Sequence, residues 1–130
     1  MPTIYGVRAT TPTMSANEEA IRDYYEYVDS EAHEELFELF AEDVVYHRPG
    51  QDPIEGMDDF EEFYREVRAI ERGTHAVLDL TIEDDTIAVQ GRFTGVLEGQ
   101  QVDFGFADVH RFDDEGLIEE RWTYTDTGRV

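Results

Sequence analysis

The apolar residues of this chain change their spacing once, at about Gly73, and that change decides which folds are open to it. Before it they recur at helical intervals; after it they alternate. Ile21, Tyr24, Tyr25 and Val28 stand at i, i+3, i+4 and i+7 behind a capping box, Ser15-Ala16-Asn17-Glu18, in which Ser15 caps the backbone and Glu18 reaches back. Ser30 is placed to cap a second, shorter helix with Leu36, Phe37 and Phe40 on its apolar side. Val44-Val45-Tyr46 is a short β-prone run, stopped by Pro49-Gly50 and Pro53. Met57, Phe60, Phe63, Tyr64 and Val67 return to helical spacing, and Gly73 suits the position just past that helix. Residues 77–82, 87–97, 102–112 and 117–124 are then rich in β-branched and aromatic side chains. Glu83-Asp84-Asp85, Glu98-Gly99-Gln100-Gln101 and Asp113-Asp114-Glu115-Gly116 join them as short turns, which predicts an antiparallel meander. Three helices followed by a meander give an α+β fold, with the helices on one face of a curved antiparallel sheet.

At 130 residues the chain is one domain's worth of sequence. Residues 1–13, rich in Thr and Pro and without a period, are expected to form a loose N-terminal arm or extension, and residues 14–130 the domain proper. The formal charge is −22, and all ten basic residues are Arg, with no Lys. A charge of that size repels itself in dilute buffer. At about 1 M salt the Debye length falls to roughly 3 Å and the repulsion is screened. The composition is therefore one that a salt-saturated cytoplasm, such as that of a halophilic archaeon, would tolerate; the alternatives are an ordinary acidic protein that lacks Lys and an acidic surface for a basic partner. It also argues against a nucleic-acid partner, because no basic patch is available to meet a second polyanion. With no Cys there is neither a disulfide nor a thiolate ligand or nucleophile. No apolar run reaches the roughly 20 residues of a membrane span, and no leader opens the chain, so the expected location is cytoplasmic.

The strand over residues 102–112 carries the chemistry. One face reads Val102, Phe104, Phe106, Asp108, His110, Phe112, and the other Asp103, Gly105, Ala107, Val109, Arg111. Asp108 and His110 are thereby placed among aromatics. Burial disfavours a carboxylate and would raise the pKa of Asp108, making it a proton carrier near neutral pH, whereas a neighbouring imidazole opposes that shift. The alternative is that Asp108 ties down a backbone or Arg group. Trp122 and Tyr124 alternate with Arg121 and Thr123 and are expected as pocket wall or core. Tyr24, read alone, is a core tyrosine needing a hydrogen-bond partner. His47 ends one strand and His75 begins another, so either could line a pocket mouth or satisfy local bonds. The four His residues show no metal-ligand spacing, and no glycine-rich phosphate loop or nucleophile elbow is present, so neither metal nor cofactor is expected.

The run Leu39-Phe40-Ala41-Glu42-Asp43-Val44-Val45-Tyr46-His47-Arg48-Pro49, the Ile54-Glu55-Gly56 turn with Phe60 and Phe63-Tyr64, and Asp108-Val109-His110-Arg111-Phe112 followed by Gly116-Leu117-Ile118 and Trp122 resemble the nuclear transport factor 2-like superfamily. Within it the SnoaL-like polyketide cyclases and ketosteroid isomerases are most similar. The resemblance runs from Ser15 to Asp126. It implies a cone-shaped barrel, the curved sheet wrapped around a pocket closed by the helices, and a homodimer through the outer sheet face. It places Tyr24 and Asp108 where the isomerases have their oxyanion-hole Tyr and protonated Asp. Arg48 stands where the isomerase base would be, and an Arg cannot serve as a base; it is left to bind an anion at the pocket rim or to pair with surface acids. In the cyclases the residue equivalent to Asp108 is itself the acid/base group. The Asp-Arg-Asp set of the limonene epoxide hydrolases falls on Gly91, Phe93 and Tyr124, so that chemistry is not expected. The implied activity is cofactor-free acid/base chemistry, isomerase or aldol-type cyclase, on a small apolar carbonyl compound. Asp108 would move the proton, Tyr24, His110 or His47 would polarise the oxygen, and His47, His75, Phe104, Phe106, Trp122 and Tyr124 would line the pocket. A non-catalytic apolar-ligand module and a dimerisation module with a vestigial pocket are the alternatives.

Overall fold

The computed structural model describes residues 15–67 and 70–127, so the arm expected over residues 1–13 lies outside the described residues. The elements run α1 (Ala16–Ser30), α2 (His33–Phe37), β1 (Phe40–His47), β2 (Ile54–Glu55), α3 (Met57–Glu62), a π-helical turn (Phe63–Val67), β3 (Ile70–Glu83), β4 (Thr86–Leu97), β5 (Gln100–Phe112) and β6 (Ile118–Thr125). The six strands form one curved, unclosed sheet in the order β2-β1-β6-β5-β4-β3, with the helices on the N-terminal side. The meander β3 to β6 is antiparallel as its turns require; β1, however, joins β6 in parallel, the one parallel pair among the described residues.

Several local expectations shift. Ser15 accepts the Glu18 N–H at 3.1 Å, but the Glu18 carboxylate turns outward to Arg22 instead of reaching back. Ser30 is the last residue of α1 and caps nothing; Glu31, at φ 59, closes the helix by giving its N–H to the last-turn carbonyls. Phe40 leaves the second helix and opens β1, because the neighbouring Leu39 carbonyl accepts the Ile118 N–H at 2.9 Å and draws the chain into the sheet. Gly73 lies inside β3 and not past a helix. A Cβ there would strike the Phe93 ring, and one at Gly91 would come within 2.5 Å of the Phe106 ring tip. These glycines let the aromatic rings of the interior lie flat across the strands. Glu98 (φ 50) and Gly99 (φ 82) are both left-handed, the conformation a two-residue hairpin needs.

The core fills the concave side. Ile21, Tyr24, Tyr25 and Val28 of α1 meet Leu36, Phe37, Phe60, Phe63 and Tyr64 from the other helical segments. Beneath them lie Val44 and Tyr46 of β1, Ile87, Val89 and Phe93 of β4, and Phe104, Phe106 and Phe112 of β5. The alternation of β5 holds throughout, so Asp108 (1% exposed) and His110 (0%) face inward.

Candidate functional site

Asp108 sits at mid-strand on β5 and accepts three hydrogen bonds. Tyr25 Oη donates to Oδ2 at 2.6 Å, Arg121 Nη2 to the same oxygen at 2.9 Å, and Thr123 Oγ1 to Oδ1 at 2.7 Å. Arg121 is 3% exposed; its Nη1 donates to Tyr64 Oη at 2.9 Å, and its guanidinium lies 4.4 Å from the Tyr24 ring centre and 4.5 Å from that of Tyr46. Tyr24 shares a hydroxyl–hydroxyl bond with Tyr64. Tyr46 Oη is bonded to Thr123 Oγ1 at 2.8 Å and accepts from Arg48 Nη1 at the same distance. Three phenols, two guanidiniums, a threonine and a carboxylate thus form one network under the aromatic cone, with Tyr25 bracing it from behind.

This network decides the protonation states. Burial pushes the Asp108 carboxyl up, but the Arg121 charge, with His110 and the bonds from Tyr25 and Thr123, brings it down to about 2. Asp108 is therefore a fixed carboxylate, and the expectation of a raised pKa and a proton carried near neutral pH is corrected: the ion pair wins. Burial lowers His110 to about 3, with Arg121 acting in the same direction, so its ring is neutral. Since the Tyr25 proton is committed to Asp108, the His110 Nε2, 3.3 Å from Tyr25 Oη, is left as the donor, and the buried Nδ1 has no hydrogen-bond partner among the described residues. Burial raises Tyr24 and Tyr25 well above the ordinary phenol value and keeps both as donors. In Tyr46 burial is outweighed by Arg121 and Arg48, and its pKa falls.

A small cavity of about 30 Å³ opens against this network, lined by the polar Tyr24, Tyr46, Arg48, Tyr64, Asp108 and Arg121 and by His75, Phe93, Phe104 and Phe106. A second, larger cleft of about 200 Å³ shares Tyr64, His75 and Phe93 with it and is rimmed by Asp29, Glu31, His33, Arg65 and Arg72. The inner space takes one small polar group, and the outer one is a charged mouth.

The sequence-based candidates divide. Asp108, Tyr24, His75, Phe104 and Phe106 border the inner cavity. His110 is fully buried and lies behind the network, closed off from that cavity, so it polarises nothing there. His47 is on the outer face, where Nε2 meets Glu120 Oε2 at 2.7 Å and the ring stacks on Trp122 at 5.1 Å. Trp122 and Tyr124 are not interior either; Tyr124 is 56% exposed. The cause is a register shift in the β5–β6 pairing: Phe112 pairs with Ile118 but Arg111 with Glu120, leaving Glu119 as an extra residue. That bulge inverts the phase of β6 and turns Arg121 and Thr123 inward beside Ile118. Arg48 is buried, lines the inner cavity and lies over the Phe63 ring at 4.6 Å. Sequence reasoning missed Arg121, Tyr25 and Thr123, the three residues that hold Asp108. Tyr25 was legible as inward, one residue from Tyr24 on the same stripe, but only α1's docking on β5 shows which phenol meets the carboxylate.

With fold and site in hand, comparison with known proteins places the chain. The family model of the SnoaL-like domain matches residues 21–121, and the chain belongs to that family. Among curated proteins none matches its sequence. Among solved structures it is similar to a protein described as a SnoaL-like polyketide cyclase from Jannaschia sp. CCS1, at 19% identity and TM-score 0.77 over 93% of this chain and 92% of that one. It is also similar to an NTF2-like protein of unknown function from Burkholderia pseudomallei K96243, at 23% identity and TM-score 0.80 over 88% and 93%. An LEH-like epoxide hydrolase of M. tuberculosis shares 16% identity at TM-score 0.76 over 86% and 84%. At these identities the likeness is one of fold.

Proposed function

We propose that the protein is a cofactor-free acid/base catalyst acting on a small carbonyl compound, with the carbonyl group in the inner cavity and the rest of the molecule in the charged mouth. The observation that carries this reading is the convergence of Tyr24, Tyr64, Tyr46 and Arg121 on one small space of about 30 Å³. A carbonyl oxygen gaining negative charge there meets neutral phenols and a fixed positive charge in a water-poor setting, which is where such stabilisation is largest. Asp108 has the role of positioning residue: it anchors Arg121 and orients Thr123. The polar mouth favours a substrate with hydroxyl or carboxylate substituents over a wholly apolar one. The family's polyketide-cyclase and epoxide-hydrolase neighbours support small-molecule chemistry of this general kind. The test is a thermal-shift screen of small ketones, aldehydes and keto acids in molar KCl, on wild type and Tyr64→Phe. Stabilisation by carbonyl compounds that weakens in Tyr64→Phe supports the reading; equal stabilisation by the matching alcohols overturns it.

We also propose that the protein works as a homodimer in a salt-rich cytoplasm. A trough of about 570 Å³ crosses the outer sheet face, lined in part by Ala88, Gln90, Ala107 and the exposed Tyr124, and a second copy is the proposed occupant. Light scattering in 2–3 M KCl (the regime in which charge repulsion is screened to a few Å) should give twice the chain mass, and Tyr124→Glu should give the monomer. A monomeric wild type under those conditions sinks the proposal.

A further inference from the structure

His75 is held in a way that the proposed chemistry has not yet used. Its Nδ1 lies 2.6 Å from Asp29 Oδ1, and its backbone N–H donates to Asp29 Oδ2 at 2.8 Å, so one carboxylate at the end of α1 grips both the ring and the strand that bears it. Two bonds from one carboxylate to one residue fix the ring's orientation and hold the proton on Nδ1. Nε2, across the ring, makes no hydrogen bond to the described residues. The ring packs against Tyr25 (5.5 Å), Phe93 (4.8 Å) and Phe106 (5.3 Å), and it borders both the charged mouth and the inner cavity. Tyr64 and Arg121 line that same inner cavity.

We infer that His75 is the general base of the site and Asp29 its positioning residue, the pair acting on the carbon next to the carbonyl that Tyr64 and Arg121 polarise. The assignment rests on the carbonyl reading and supplies the base which that reading lacks once Asp108 is fixed as an ion-paired carboxylate. In the step, Nε2 takes a proton from the α-carbon as the C–H bond breaks. The electron pair moves through the new C=C bond onto the oxygen, and the enolate charge faces Arg121 and the phenols. The imidazolium that forms is stabilised by Asp29 and returns its proton to the α-carbon as the C=C pair reforms the C–H bond and the C=O is restored, so nothing is oxidised or reduced. The Asp-His arrangement suits a base because the carboxylate selects the Nδ1–H tautomer, which turns the lone pair of Nε2 to the substrate, and stabilises the cation that forms.

Two measurements on the full chain in molar KCl test this. The first is the ¹⁵N spectrum of histidine-labelled protein, which reports the tautomer directly. His75 should show a protonated Nδ1 and a bare Nε2, and Asp29→Asn, which offers an N–H donor in place of an acceptor, should move the proton to Nε2. The second is deuterium uptake at the α-carbons of hydroxyacetone. Wild type should catalyse it, and His75→Gln should lose about 100-fold or more, the usual worth of a general base. A native Nε2–H tautomer, or uptake undiminished in His75→Gln, overturns the dyad while the carbonyl reading stands. Absence of uptake with wild type overturns the carbonyl reading, and the dyad with it.

Discussion

Tyr25 Oη donates to Asp108 Oδ2 across 2.6 Å, a single buried bond that ties the first helix to the middle of the fifth strand. The adjacent Tyr24 is equally buried yet bonds to Tyr64 instead. Two neighbouring phenols on one helical stripe thus serve different walls of the cone. Tyr25 supports the carboxylate from behind, whereas Tyr24 faces the cavity.

Removing the Tyr25 hydroxyl should expose that difference. Tyr25→Phe leaves a buried carboxylate one donor short and takes away the acceptor for His110 Nε2. A loss of about 2–3 kcal/mol is expected, since a hydrogen bond to a charged group is worth about 1.5–3 kcal/mol. Tyr24→Phe should cost less, because Tyr64 Oη keeps its bond from Arg121. Urea denaturation of both variants in molar KCl decides the order.

The Asp108–Arg121 pair, 2.9 Å apart and nearly fully buried, should behave as a unit. Asp108→Asn or Arg121→Met alone strands a buried charge or its donors, at a cost of about 3–5 kcal/mol each. The double variant should be less destabilised than the sum of the two. A double-mutant cycle measures this, and additivity would show that the charges do not depend on each other.

Acid should destabilise the fold before Asp108 itself titrates. The folded pKa of His110, about 3, lies below the unfolded value near 6.5. Between those values the unfolded chain binds a proton that the folded chain refuses, so stability is complete above about pH 6.5 and declines as pH falls through that window. The full difference corresponds to about 5 kcal/mol. Asp108, at about 2 when folded, adds a further loss below about pH 4, where the unfolded carboxyl protonates. Melting temperatures from pH 7.5 to 5 in constant high KCl should fall for wild type and hold nearly level in His110→Gln.

Salt should act in the opposite direction to its usual effect on exposed ion pairs. The few outer pairs, such as Arg92–Asp103 at 2.6 Å and Arg65–Glu34 at 2.7 Å, are small against a formal charge of −22. Screening of net repulsion therefore dominates, and stability should rise steeply between about 0.1 and 2 M KCl. A flat dependence in a denaturation series would remove salt adaptation as the account of the composition.

The change of period at about Gly73, the stripe on α1 and the alternation of β5 were legible in the residues themselves. Each is a local property: it depends on the angle between successive side chains, which the backbone of one helix or one strand sets without help from the rest. By that route the sequence determined an α+β fold, an antiparallel meander, and an inward Asp108 among phenylalanines. The parallel join of β1 to β6, the bulge at Glu119 and the partner of Asp108 were decided by the tertiary structure. A bulge adds one residue to one strand of a pair, so its effect on phase exists only once the pair exists; without it, Trp122 looks interior and Arg121 exposed. The charge on Asp108 has the same origin. Burial, which the pattern shows, pushes the proton on, but the guanidinium that removes it arrives from another strand.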